Sequence, residues 1–269
     1  MSAPTAAAPA PAEPVLLRAD ADGVATLTLN RPDQLNSLSA ELLDALTETF
    51  EGLAGDDTVR VVVLAGAGKA FCAGHDLKEM RAMTGRDSYE ALFNRCSRMM
   101  LAVVGCPKPV IARVHGIATA AGCQLVATCD LAVASDEARF GTSGINVGLF
   151  CSTPMVALSR NVGRKRAMEM LLTGDLVDAA TAAEIGLVNR AVPAAELDAH
   201  VAELATKIAG KSGLAIAMGK AAFYRQLEME LAAAYRYTAS VMARNMCGED
   251  AREGLDAFAA RRPPRWRHR

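Results

Sequence analysis

The sequence of 269 residues has no long apolar run, because charged residues or glycines interrupt its apolar stretches well before the ~18 residues that span a bilayer. We therefore expect no transmembrane segment. It also has no excess of one charge, since 29 Lys and Arg residues nearly equal 30 Asp and Glu residues. Without a global field to attract nucleic acid or an acidic membrane surface, we expect neither as a partner.

No C-x-x-C pair and no Cys/His spacing typical of a metal site occurs in the chain. Its seven cysteines are an odd number and lie scattered through apolar stretches. This pattern suits a reducing compartment and argues against zinc. Residues 1–14 have neither a basic residue nor a long apolar core, so we expect neither a signal peptide nor a basic transit peptide there. We predict a cytoplasmic protein without a metal or a cofactor.

The chain begins with an Ala- and Pro-rich stretch at 1–14, which we predict to be a disordered tail. After it, strand and helix signals alternate. Strands are predicted at 24–29, 60–64, 110–114 and 131–134, and helices after Ser39, after Asp76, over 89–104 and over 121–129. This alternation predicts an α/β fold for residues 15–210. The pattern of residues 211–269 predicts nearly continuous helix, which indicates either an oligomerisation region or a second helical layer.

Two turns of small residues, at 71–77 and 116–123, each precede a predicted helix. Small residues let backbone N–H groups approach a ligand closely, and a helix N-terminus favours negative charge. Two such N–H groups that converge would form an oxyanion hole. Each turn taken singly is more typical of ordinary tight packing between a strand and a helix.

Three segments carry a family resemblance: 30–38 (NRPDQLNSL), 70–80 (AFCAGHDLKEM) and 116–125 (GIATAAGCQL). In order and spacing they resemble the crotonase family, which comprises enoyl-CoA hydratases and isomerases. The resemblance covers nearly everything after residue 15. It implies a spiral of strand-strand-helix (ββα) repeats, a C-terminal helical region that forms a homotrimer or hexamer, and an acyl-CoA ligand whose thioester carbonyl is polarised by two backbone amides.

By this resemblance the two amides belong to His75 and Ala121. The resemblance also implies which residues bind the coenzyme A: Asp33, Gln34, Leu35, Ala73, Gly74, Asp76, Leu77 and Gly122. Phe258 and Arg261 match positions that family members use over the coenzyme, often from a neighbouring subunit. Arg261 suits a phosphate contact, although residues 261–269 are also compatible with a solvated basic tail.

Two departures from the family pattern concern its catalytic glutamates. The position of the first is Gln124 and that of the second is Gly144. Glutamine can orient water but cannot exchange a proton at neutral pH. The chain also resembles the subgroup called enoyl-CoA hydratase domain-containing proteins, which lacks both glutamates. At Gly144 we expect a positive φ angle, which would hinder substitution by glutamate.

The loop at 146–154 offers other candidates. Cys151 or Ser152 could act as a nucleophile, with His75 as the base. Alternatively, Ser152 or Thr153 caps the following helix, Pro154 occupies its first turn, and Cys151 is a small buried hydrophobe.

Three functions remain open, because one fold hosts many activities. The chain could be an enzyme of fatty-acid or related acyl-CoA metabolism that works through its oxyanion hole, with hydrolase or decarboxylase chemistry as variants. It could be a conventional enoyl-CoA hydratase. It could also be a non-catalytic acyl-CoA-binding protein.

Overall fold

The computed structural model describes residues 13–269, so most of the predicted tail lies outside the described residues. Two sheets form the body. The first contains β1 (Leu16–Ala21), β2 (Val24–Leu29), β3 (Val61–Gly66), β5 (Val110–Val114), β7 (Leu131–Ser135) and β10 (Arg190–Val192), in that spatial order. The second contains β4 (Ala70–Cys72), β6 (Ile117–Thr119), β8 (Arg139–Gly141) and β9 (Val177–Asp178).

Successive repeats place one strand in each sheet. Strands β3, β5 and β7 lie parallel in the first sheet, and β4, β6 and β8, which directly follow them in sequence, lie parallel in the second. The helices are α1 (Ala40–Leu53), α2 (Leu77–Ala82), α3 (Arg86–Gly105), α4 (Ala121–Thr128), α5 (Pro154–Asn161), α6 (Arg164–Thr173), α7 (Ala179–Glu184), α8 (Leu197–Ala209), α9 (Gly213–Gln226), α10 (Leu231–Met246) and α11 (Glu249–Ala259). This is the predicted α/β spiral of ββα repeats with C-terminal helices.

The bounds of β2 and β5 and the start of α1 are as predicted, whereas α3 begins at Arg86, three residues before its predicted start. Ser39 caps α1 by accepting a hydrogen bond from the Leu42 amide. The apolar face of α1 is buried, and Leu27 and Leu29 of β2 are fully buried beside it in the same core. Each such side chain contributes about 1.5–3 kcal/mol by leaving water. These contacts fix the first sheet, whereas the small-residue turns leave β4 and β6 of the second sheet.

The short strands were not predicted. Residues 117–119 were assigned to a turn, yet they form β6, and three residues are too few to show an alternating pattern. Strand β1 was also missed. Asp22 and Gly23 join it to β2 with positive φ angles of 50° and 77°, as a two-residue type I′ hairpin turn requires. The Asp-Gly pair was the available signal.

A partly buried ion pair holds the C-terminal helices against the spiral. Lys220 of α9 reaches the Asp130 carboxylate at 2.7 Å and also donates to two backbone carbonyls. Tyr224 donates to the same carboxylate at 2.9 Å, and the Val110 amide donates to it at 2.7 Å. Asp130 therefore has a structural role, and α9 lies in a fixed position on the sheet ends.

The last residues fold back onto this helical region. The Asp250 carboxylate is buried and accepts hydrogen bonds from the Ser212 hydroxyl and the backbone amides of Arg267 and His268. Trp266 donates its indole N–H to a backbone carbonyl at 2.9 Å. The backbone of the expected solvated tail is thus bound, while the arginine side chains remain exposed.

This C-terminal contact should loosen in acid. Burial alone would raise the pKa of Asp250, but the Ser212 hydroxyl and the two amides together lower it below its usual value. A lowered pKa stabilises the folded form above the unfolded pKa, and the stabilisation disappears as pH falls through the lower folded value. We therefore expect the environment of Trp266, the only tryptophan, to change as pH falls below ~3.9. Fluorescence of Trp266 measures this change.

The matched variant is Asp250→Asn, which has no charge to lose. It should show a displaced Trp266 signal already at neutral pH and no further change between pH 5 and pH 3. If Trp266 fluorescence follows the far-ultraviolet circular dichroism of global unfolding in both proteins, the local contact does not have the predicted role.

Candidate functional site

The first small-residue turn is held by the segment that precedes α1. Leu35 and Leu38 form three backbone hydrogen bonds of 2.7–3.2 Å with residues 73–76. Asn36, fully buried with a φ of 54°, bridges Arg31 to the carbonyls of Ala67 and Ala70. The motif at 30–38 therefore acts as a frame that fixes the path of the turn.

Asp76 ends this turn and begins α2. Its carboxylate accepts from the amides of Lys78 and Glu79 and pairs with Arg31 at 2.9 Å. Burial opposes ionisation, but Arg31 and the two amides lower the pKa of Asp76 below its usual value. Glu79 does not complete a capping box; it accepts from the Ala40 amide at 2.9 Å and so links α2 to α1. Together these bonds fix the residue just before Asp76.

The second turn is strained. Ala120 has a φ of 50° and a ψ of −119°. This conformation is unfavourable by about 1–3 kcal/mol for a residue other than glycine. Its amide donates to the Gly141 carbonyl at 2.9 Å, which holds the turn in place. Such strain persists only where the surrounding structure enforces it. The conformation of Ala120 therefore fixes the direction of the Ala121 amide at the start of α4.

The two turns lie directly against each other. A Cβ atom at Gly74 would lie 2.9 Å from the Ala120 Cβ atom and 3.3 Å from the Ala121 nitrogen. A Cβ atom at Gly122 would lie 2.1 Å from the Cys72 carbonyl oxygen. Larger residues cannot occupy these positions, so glycine permits the approach of α4 to the first turn.

Two backbone amides are left unpaired where the turns meet. Within residues 13–269, neither the His75 amide nor the Ala121 amide donates to a backbone carbonyl. Both residues line one cavity. The Ala121 amide also lies at the N-terminus of α4, where the helix dipole favours negative charge. Two unpaired N–H groups at one cavity are what an oxyanion hole requires.

The cavity has a volume of ≈ 230 Å³. It exceeds the ~150 Å³ of an engineered apolar cavity that binds benzene, so it accommodates a short acyl or small aryl group. Most of its wall is apolar. Its lining consists of Ala73, His75, Leu77, Met80, Phe93, Ala120, Ala121, Ser143, Gly144, Val147, Leu149, Phe150, Cys151, Ser152, Thr153 and Pro154.

The imidazole of His75 is buried in this wall beside Phe93, with ring centroids 5.6 Å apart in an edge-to-face arrangement. Within the described part of the chain, neither ring nitrogen has a hydrogen-bond partner of normal geometry. Burial lowers the pKa of His75 to about 4, while the nearby Leu38 backbone opposes the change. The ring is therefore neutral at pH 7.

Cys151 and Ser152 share the cavity with His75, as the hypothesis of a nucleophile requires. Burial raises the pKa of the Cys151 thiol, so the thiolate is disfavoured. The Ser152 hydroxyl donates to the Phe150 carbonyl at 3.4 Å. Thr153 begins α5, but its side chain accepts no capping hydrogen bond; Pro154 occupies the first helical position, as predicted. Among the described residues neither side chain is hydrogen-bonded to the His75 ring; Cys151 is buried as a packing residue, and Ser152 is exposed.

The two positions expected for glutamates differ in their surroundings. Gln124 is buried in α4 and is not part of the cavity lining, and its Oε1 has no partner among the described residues. Gly144 does line the cavity. The expectation of a positive φ at Gly144 was wrong. Substitution is restricted by space instead, because a Cβ atom would lie 2.5 Å from the Leu149 carbonyl oxygen and 2.8 Å from the Cys151 sulfur.

A comparison with known families matches residues 19–269 to the enoyl-CoA hydratase/isomerase model. The chain belongs to this family. An enoyl-CoA hydratase from Mycobacterium smegmatis, solved by crystallography, is 59% identical with a TM-score of 0.93, covering 94% of this chain and 99% of that one. Human enoyl-CoA hydratase domain-containing protein 3, also solved, is 44% identical with a TM-score of 0.91, covering 94% and 100%. The protein of that name in Xenopus laevis is 46% identical over 91% of this chain and 84% of its own length.

The chain is thus an enoyl-CoA hydratase-like member of this family, which supports a lyase-like enzyme. The Xenopus and human relatives carry the word mitochondrial in their names, which is a statement about those proteins. The cytoplasmic location inferred from the cysteines stays a prediction. Within residues 13–269, no helix is both long and apolar enough to span a membrane.

The residues expected along the coenzyme A lie at the cavity, at the surface near it, or away from it. Ala73 and Leu77 line the cavity, and Gly74, Asp76 and Gly122 support it. The turn Pro32–Gln34 and Leu35 lie at the surface above the first small-residue turn, with Leu35 40% exposed. Phe258 and Arg261 do not line the cavity of the same chain. Phe258 is 85% exposed at the end of α11, and Arg261 follows that helix.

Several cavity residues were missed from the sequence. Ser143 follows β8, and its hydroxyl lies 2.7 Å from that of Thr119 in β6. Phe93 and Phe150 come from α3 and from the loop before α5. Met80 lines the cavity, whereas Met99 and Met100 pack in the core as ordinary side chains. Ser143 and Phe150 are next to two positions that the sequence singled out, Gly144 and Cys151, whereas Phe93 lies outside every motif.

Proposed function

We propose that this protein binds acyl-CoA thioesters and polarises the thioester carbonyl with the backbone amides of His75 and Ala121. The observation that carries this proposal is the close contact of the two small-residue turns, which leaves both amides unpaired at one apolar cavity. The family places the chain among enoyl-CoA hydratase-like proteins. A thioester enolate is the kind of oxyanion that two converging donors stabilise.

The reaction is proposed to depend mainly on this oxyanion hole. Gln124 and Gly144 occupy the positions where the resemblance implies catalytic glutamates, and neither exchanges a proton at neutral pH. Conventional hydration is therefore expected to be weak. The same geometry would also serve a non-catalytic acyl-CoA-binding protein, since binding requires the amides and the cavity but no proton transfer.

A thioester panel with two readouts tests the proposal. The protein is mixed with enoyl-, 3-hydroxyacyl-, malonyl- and aryl-CoA thioesters, and products are followed by mass spectrometry. Infrared difference spectra of the ¹³C-labelled thioester carbonyl report polarisation directly. A lowered carbonyl frequency supports the oxyanion hole, and turnover of any thioester supports an enzyme. A carbonyl frequency that does not change on saturable binding would contradict the proposal.

We also propose that the C-terminal helices form a trimer or a dimer of trimers. Large apolar side chains on these helices are exposed in the single chain: Phe223, Leu227, Leu231, Tyr235, Met242, Met246, Leu255 and Phe258. So much exposed apolar surface is typical of a protein interface. Sedimentation should show an oligomer at micromolar concentration, and a monomer there would exclude the proposal.

A further inference from the structure

The strained turn at Ala120 lies between two neighbouring segments of the second sheet, because it follows β6, which is placed between β4 and β8. On the β4 side it packs against Gly74, where a Cβ atom would lie 2.9 Å from that of Ala120. On the β8 side it makes two hydrogen bonds. The Ala120 amide donates to the Gly141 carbonyl at 2.9 Å, and the Thr119 hydroxyl lies 2.7 Å from the Ser143 hydroxyl. Directional bonds therefore hold the turn from the β8 side.

The direction of the Ala121 N–H depends on the ψ angle of Ala120. Rotation about this angle turns the rigid peptide plane that carries the N–H. The Ala120 carbonyl accepts from the Gln124 amide at 3.0 Å, which holds the plane from the helix side. The strain at Ala120 is comparable to the net contribution of one or two hydrogen bonds. Each bond that holds the turn therefore affects where the Ala121 amide points.

The partner of Thr119 is itself fixed to the body of the protein. Ser143 follows Thr142, whose buried hydroxyl donates to the Met170 carbonyl of α6 at 2.8 Å. Thr119 has the only polar side chain among residues 117–122, so it provides the one side-chain hydroxyl through which this turn can be held. The bond between Thr119 and Ser143 thus connects the strained turn to an anchored segment.

We propose that Ser143 is a positioning residue that holds the strained turn through Thr119 and thereby fixes the direction of the Ala121 amide. This inference rests on the proposed function. Ser143 acts here through the amide and makes no bond to the reacting atoms. A hydroxyl both donates and accepts, so either of the two can be the donor, and the role requires only that both hydroxyls are present.

Infrared difference spectra of bound butyryl-CoA, labelled with ¹³C at its thioester carbonyl, test this inference. The probe has no double bond to hydrate, so the measurement does not depend on turnover. We expect Ser143→Ala and Thr119→Val each to lower the carbonyl frequency less than the wild-type protein does. Thr119→Ser, which keeps the hydroxyl, should restore the full shift.

Kinetics with the best thioester of the panel provide a second readout. We expect kcat to fall about fivefold in Ser143→Ala, since the net contribution of one hydrogen bond corresponds to a factor of ~2 to ~10. KM should stay within about twofold of the wild-type value, because donors that strengthen their contact in the transition state affect kcat. A loss of folded protein alone would not change the carbonyl frequency of the bound probe.

A double-mutant cycle with Ala120→Gly separates the role in the strained turn from other effects. Glycine adopts the φ of 50° without the strain that alanine has. When Ala120→Gly is already present, Ser143→Ala should therefore change kcat by less than about twofold and leave the carbonyl shift nearly unchanged, a non-additive result typical of coupled residues.

Thr49→Val is the matched control. It removes a part-buried hydroxyl that donates to the Ala45 carbonyl at 2.7 Å in α1, away from the cavity, and should change neither readout. A full wild-type carbonyl shift in folded Ser143→Ala would overturn the inference and leave the proposed function intact. Equal effects of Ser143→Ala with and without Ala120→Gly would do the same. If Ser143→Ala does not fold, Thr119→Val decides in its place. A wild-type protein that binds butyryl-CoA without any carbonyl shift would overturn both proposals.

Discussion

Hydration of crotonyl-CoA by this protein is expected to be on the order of 10⁴-fold slower, or more, than by a relative with two catalytic glutamates. Addition of water to a conjugated thioester requires a base that activates the water and an acid that protonates the α-carbon. Each such group typically contributes ~10²- to 10⁴-fold. Positions 124 and 144 hold glutamine and glycine, so the proposed oxyanion hole is left as the main source of any catalysis.

The measurement is the loss of absorbance of the conjugated thioester, with a hydratase that carries both glutamates assayed in parallel. A rate near ~10 s⁻¹, ordinary for an enzyme, would show that other groups supply the acid and the base, or that positions 124 and 144 do not correspond to the glutamates. The prediction of slow hydration would then be wrong. The proposed polarisation of the thioester carbonyl would be unaffected, because infrared spectra test it separately.

Gln124→Glu is the informative variant for this prediction. Its side chain is buried and outside the cavity lining, so a carboxyl there should be protonated and should raise the rate by no more than a few-fold. Gly144→Glu is a poor test, because its Cβ atom collides with the Leu149 carbonyl and the loop of residues 147–151 would have to move. Restoring one glutamate is thus insufficient: the surrounding loop would need to change with it.

The fold could be predicted because its strongest signals are local. The apolar faces of α1 and β2, the Ser39 cap and the Asp76 cap each lie within a few residues, and the structure confirms them. The strand-strand-helix spiral came from the resemblance, since strands of three residues such as β4 and β6 carry no period of their own.

The sequence predicted the backbone turns of the candidate site, but it did not predict several of the side chains that line the cavity. Gly74 and Gly122 mark the approach of two turns, and a glycine in sequence reports such proximity. Ser143, Phe93 and Phe150 reach the cavity from three separate elements, a coincidence of tertiary structure that no spacing records. The unpaired imidazole of His75 likewise became visible only when its surroundings were known.

Deleting the Ala121 amide is expected to lower turnover of the best thioester of the panel by roughly 10²- to 10³-fold, as removal of one oxyanion donor typically does. Ala121→Pro deletes this N–H. Proline suits the first position of a helix, but it disfavours the ψ of −119° that Ala120 adopts. The comparison is therefore made between Ala120→Gly and the double variant Ala120→Gly/Ala121→Pro, since glycine tolerates that conformation.

Two variants separate the amide from other causes. Arg164→Pro places proline at the first residue of α6, where the preceding Gly163 has a ψ of 138°, and should leave activity unchanged. His75→Ala keeps its backbone N–H and should retain thioester binding and a lowered carbonyl frequency. The Ala121 variant should instead lose most of the frequency shift together with its rate. If Ala121→Pro and His75→Ala both had negligible effects in folded protein, the two amides would not form the oxyanion hole, because a donor that is deleted without consequence cannot stabilise the charge.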